Sequence, residues 1–111
     1  MPAHRLPAGF AHKFALGYID GARTDGVDVP HHVRDKEFVA LQREATQFIA
    51  KRYKDLAIIG DTEYAFALGG MLWVARSGRG NFVYWGNDKH IAAAYSRCDQ
   101  MAYKLGPSKV K

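Results

Sequence analysis

The residues best suited to chemistry are gathered in one stretch, ARSGRGNFVYWGNDKH, residues 75–90. Arg76, Arg79, Lys89 and His90 flank Phe82, Tyr84 and Trp85 around three glycines. Basic groups can contact phosphates while exposed rings stack on unpaired bases, so the pattern suits RNA or another single-stranded nucleic acid. It equally suits protein docking, because aromatic residues and arginine are enriched in interface cores. In a third reading it is a surface turn whose rings fold back onto the core. The S-G-R-G run lacks the glycine spacing and following lysine of a phosphate loop, and it is not a dinucleotide fingerprint. The candidate partner- or nucleic-acid-binding set is therefore Arg76, Arg79, Phe82, Tyr84, Trp85 and Lys89.

Other reactive residue types form no recognisable constellation. His31 and His32 are adjacent and diverge in any regular structure, while His4, His12 and His90 lack metal-site spacing. Ser77, Ser96 and Ser108 lack a nucleophile-elbow context. Asp61 and Glu63 precede an apolar segment, which helix capping explains. Cys98 lies within an apolar helical stripe and reads as a small core residue, not a nucleophile. No metal, cofactor or small-molecule substrate is implied.

A length of 111 residues is one domain's worth, and 48% apolar content is ordinary for a globular chain. The expectation is a single domain over 1–111, with an irregular N-terminal arm (1–8) and a basic C-terminal tail (106–111). The net charge of +5 is uneven: residues 1–33 balance, whereas Arg76–Lys111 holds seven basic residues against two acidic ones. Such a surplus favours nucleic acid, an anionic membrane surface or an acidic protein, without choosing among them. One cysteine permits no internal disulfide and suits a reducing compartment. The opening MPAHRLPAGF lacks the apolar run of a secretory signal, so an intracellular location, cytoplasm or organelle interior, is expected. The longest uncharged apolar run, Tyr64–Ala75, would span roughly 18 Å as a helix, short of a ~30 Å bilayer core.

These residues need helices to position them. From Asp35 to Leu56, Phe38, Leu41, Ala45, Phe48, Ile49, Tyr53 and Leu56 share one face, and charged residues take the other. Gln42 and Arg52 interrupt that stripe and are expected to reach water from its edge. From Asp88 to Leu105 a second stripe carries Ile91, Ala94, Tyr95, Cys98, Met101, Ala102 and Leu105, capped by Asn87, with Asp88 complementing the dipole, and closed by Gly106 and Pro107. Ala8–Ala22 is a further helix, in which Phe10 and Phe14 share a face while Leu16 and Ile19 point elsewhere. Gly17 and Gly21, one turn apart, would let a neighbouring backbone approach closely. Within it FALGYIDGA resembles the helix opening of a family of bacterial secreted-toxin immunity proteins. That family leans on a disulfide that one cysteine cannot make, so the resemblance implies nothing further. Residues 23–33 read as a loop.

Residues 61–85 admit two readings. One is a buried helix capped by Asp61 or Thr62 and stopped near Gly78, with Gly69 and Gly70 each costing about 1 kcal/mol if interior. The other is a hairpin, EYAFAL and MLWVAR about two glycines, with FVYW as a third strand. Only Val74 and Val83 in those strands are β-branched, which favours the helix. The expected fold is thus mostly α, a small bundle of three to four helices. The alternative is α+β, with a short antiparallel hairpin or meander at 63–85.

The leading functional expectation is a non-catalytic accessory subunit of a larger assembly, of respiratory, ATP-synthase or ribonucleoprotein type. Its contacts would be the termini, Arg76–Trp85 and the polar face of the Asp35–Leu56 helix. The alternatives are direct nucleic-acid binding through Arg76, Arg79, Tyr84, Trp85 and Lys89, and a small enzyme of unknown type. Direct nucleic-acid binding requires affinity that falls steeply with salt and weakens on Trp85→Ala, measurable with a labelled oligonucleotide; absent or salt-insensitive binding removes it.

Overall fold

The computed structural model describes residues 5–29 and 35–110. It is 69% helical, with five α-helices and no strand among the described residues. They are α1 (Phe10–Thr24), α2 (Lys36–Lys51), α3 (Tyr53–Ile59), α4 (Ala65–Arg76) and α5 (Lys89–Leu105). His4, His31, His32 and Lys111 lie outside the described residues.

The ambiguous segment is helical as far as Arg76, and FVYW beyond it is neither helix nor strand. Asp61 accepts a hydrogen bond from Glu63 N at 3.0 Å, capping a 3₁₀ turn over Thr62–Tyr64 that runs directly into α4. Its two glycines, suggestive of a hairpin, serve a helix crossing instead. A Cβ built on Gly69 would stand 1.9 Å from the Phe14 carbonyl oxygen, and one on Gly17 would stand 1.9 Å from that of Phe66. Gly21 lies against the Trp73 side chain. Residue 17 meets 66 and residue 21 meets 73, so α1 and α4 cross in the same sense with their backbones in contact. The long excursion through α2 and α3 makes that sense attainable.

The expected count of three to four helices falls short because the Asp35–Leu56 helix is two. It breaks at Arg52 (φ −118°, ψ 29°), where a charged residue occupies the apolar stripe. Arg52 does not simply reach water: its guanidinium donates to Asp55 at 3.3 Å. Asp55, itself buried, also accepts from Arg97 of α5 at 2.7 Å. The break lets α2 pack on α1 while α3 turns to pack on α5. α3 then ends at Gly60, whose φ of +61° favours glycine. In α5 the N-cap is Asp88, not Asn87: its carboxylate accepts from His90 N and Ile91 N. Gly106 and Pro107 close that helix as the sequence indicates.

One hydrophobic cluster unites the described helices. Phe10, Phe14, Phe48 and Phe82 form a row of rings with centroids 5.8–6.0 Å apart, joining α1, α2 and the segment after α4. α1 is enclosed on several sides, so Ile19, off the Phe10–Phe14 face, is fully buried too.

Two neighbouring glycines offer an internal control. Gly69→Ala drives a methyl group into the Phe14 carbonyl and should cost about 3 kcal/mol or more. At Gly70 a Cβ meets nothing nearer than 3.9 Å, so Gly70→Ala should raise stability by about 0.5–1 kcal/mol. Urea denaturation of the two variants checks both signs; equal destabilisation would deny the close crossing.

Candidate functional site

The segment after α4 is extended without pairing into a sheet, so its side chains alternate. Phe82 and Tyr84 turn inward; Val83 and Trp85 turn outward. Phe82 stacks on Phe48, and its backbone N–H donates to Asp99 of α5 at 3.0 Å. The Tyr84 ring lies 5.1 Å from Tyr95, and its hydroxyl accepts from Asp88 N at 3.1 Å. A Cβ on Gly86 would strike that ring, so a larger residue there would have to displace Tyr84. The chain on either side of Trp85 is thus anchored, while Trp85 itself remains 85% exposed. It forms part of a cleft of about 270 Å³ lined also by Ile59, Asp61, Tyr64, Tyr95 and Ile91. Burial, then the neighbouring Tyr64 and Tyr84, pushes the Tyr95 phenol up to about 12, so it stays protonated.

The other candidate residues do not converge on that cleft. Arg76 is 8% exposed and built into a polar cluster. It donates to the Gly106 carbonyl (2.8 Å), the Tyr18 hydroxyl (3.0 Å) and the Pro107 carbonyl (3.3 Å). Glu44 of α2 completes the cluster, 3.5 Å from Arg76, accepting from Tyr18 (2.7 Å), Ser108 (2.6 Å) and Lys109 N (3.2 Å). Burial and the bond to Glu44 raise the Tyr18 hydroxyl above the ordinary phenol range, against the pull of Arg76. Residues 106–109 of the basic tail are therefore tied to α2 and α4. Arg79 pairs with Asp25, which also accepts from Trp73 Nε1 at 2.6 Å. Of the six candidates, Trp85 and Lys89 are exposed and without a partner among the described residues, whereas Arg76, Arg79, Phe82 and the half-buried Tyr84 are engaged within the chain.

The sequence reading missed Tyr64 and Asp61 as neighbours of Trp85; no periodicity links positions twenty residues apart. It did mark the polar face of the second helix and the tail, and these come together. Between α2 and residues 105–110 runs a larger cavity, about 770 Å³. Burial, with Asp55 nearby, pushes the Cys98 thiol up to about 12, as befits a core residue. Among the described residues no three of His, Cys, Asp or Glu gather to hold a metal ion, and no helix is long and apolar enough to cross a membrane.

Compared with known proteins, the chain gives no significant match to a family model, a curated protein or a solved structure.

The raised groups set an alkaline limit. In the unfolded chain Cys98 ionises from about 9 and the two tyrosines from about 10, while the folded groups hold their protons to about 12 or beyond. The native state then binds more protons than the unfolded one, so stability is intact below pH ~9 and falls above it. Each group takes up to about 1.4 kcal/mol per pH unit. Urea midpoints at pH 7.5, 9 and 10.5 should show a plateau and then a decline; a flat profile across all three would contradict this burial.

Proposed function

We propose that this chain is a non-catalytic docking subunit of a larger protein assembly, with Trp85 as the residue its partner covers. The observation that carries this reading is a large apolar ring, 85% exposed, directly after a segment that Phe82 and Tyr84 hold to the core through four contacts. An indole that is mobile in solvent must be ordered on binding. Here the flanking backbone is already held, so only the side-chain torsions of the indole remain to be ordered, which suits an interface anchor. Burying about 200 Å² of ring would gain about 5 kcal/mol before association costs. The half-exposed Val83 and Tyr64 widen the apolar surface around it.

Nucleic-acid binding through the same segment has less support. It needs several free cations beside the rings, and Arg76 and Arg79 are spent on Tyr18, the tail carbonyls and Asp25. The cleft contributes a carboxylate, Asp61, and no basic lining residue.

The test is co-purification of the tagged chain from its native source, with and without Trp85→Ala. A defined protein partner should be retained by the unsubstituted chain and lost about 30-fold or more by the variant, which removes an anchor worth at least about 2 kcal/mol. The melting temperature should be unchanged, because the exposed indole adds little to folding. A partner retained equally by both, or RNA in place of protein, would overturn the proposal.

A further inference from the structure

The larger cavity is a groove whose chemistry is opposite to that of the Trp85 cleft. One wall is a stripe along the full length of α2: Lys36, Ala40, Arg43, Gln47 and Lys51. The other is the anchored C-terminal segment, with Leu105, Lys109 and Val110. At its base Arg76 and Glu44 neutralise one another. That leaves Lys36, Arg43, Lys51 and Lys109, all exposed and without a carboxylate partner among the described residues, against the single acid Glu37. The cations border an apolar strip formed by Ala40, Leu105 and Val110, with the buried Phe48 beneath it.

We propose that this groove receives an acidic amphipathic helix from another protein. Charge complementarity selects an acidic occupant, and the apolar strip selects one with an apolar face. The spacing selects a helix. Lys36 and Arg43 are seven residues apart on α2 and Arg43 and Lys51 eight, or about 10.5 and 12 Å of rise. A helix lying alongside α2 matches those intervals with carboxylates at every seventh or eighth residue, a two-turn repeat that keeps them on one side. Single-stranded RNA fits less well, because the groove's only lining ring, Phe48, is fully buried and offers no face for a base. This surface uses none of the residues around Trp85, so the two proposals stand separately.

The probe is a dye-labelled 18-residue helical peptide with a leucine face bordered by glutamates at seven-residue intervals. It is compared by fluorescence anisotropy with a peptide of identical composition whose glutamates are scattered around the helix. The patterned peptide should bind the full chain at least tenfold more tightly. The exposed-site variant K36E/R43E/K51E should weaken it at least tenfold with an unchanged circular-dichroism melt. Arg43→Glu alone provides the same readout, at about threefold, should the triple variant fold poorly. Trp85→Ala should leave peptide affinity untouched. Equal binding of the two peptides, indifference to the charge reversals, or displacement of the peptide by a single-stranded oligouridine at 150 mM salt would each overturn the proposal.

Discussion

Everything in this molecule is arranged around a contact that only missing atoms permit. The carbonyl of Phe66 occupies the place a Cβ at position 17 would need, and the carbonyl of Phe14 does the same at position 69. Glycine within a helix is unfavourable by about 1 kcal/mol relative to alanine. Here the loss is offset because two helix backbones meet directly, and the side chains on either side of the crossing close over it. Phe14 and Tyr18 flank the contact on α1, and Leu68, Leu72 and Trp73 flank it on α4. α1 consequently becomes the interior helix, and α2 and α5 are laid around the pair it makes with α4.

That crossing also explains where the polar groups go. It brings Tyr18 and Arg76 within 3.0 Å, and Glu44 is then drawn in from α2. A buried guanidinium must have its donors met, and it meets them with carbonyls of the tail. The same tie that neutralises Arg76 fixes residues 106–109 beside α2 and so builds the far wall of the basic groove. At the opposite end Asp99 and Asp88 hold the Phe82–Trp85 segment in register. The two proposed docking surfaces are thus by-products of satisfying internal hydrogen bonds, which gives each a fixed shape.

Much of this was legible in the residues. The apolar periods located α2 and α5, and the Gly17–Gly21 spacing foretold a close backbone approach. The weak β character of residues 64–85 favoured a helix there. What stayed hidden depended on distant partners. Nothing local distinguishes Arg76 from a surface arginine; its burial follows from Tyr18 and Glu44, 58 and 32 residues away. Phe82 and Trp85 look alike in the chain, and only the alternation of an extended segment separates the inward ring from the outward one. The break at Arg52 was signalled by a charge in an apolar stripe, yet its direction was set by Asp55 and Arg97. Asp61 and Tyr64 joined the Trp85 cleft through folding alone.

α1 and α4 form one unit that cannot be opened in parts. Native-state hydrogen exchange tests it most directly. Amides on both sides of the crossing, at Tyr18, Ile19, Leu72 and Trp73, should exchange only through global unfolding. They should share one opening free energy and one dependence on denaturant, while α3 and the tail open at lower cost. Should α1 and α4 exchange with separate, lower free energies, the glycine crossing would not be what holds this fold together.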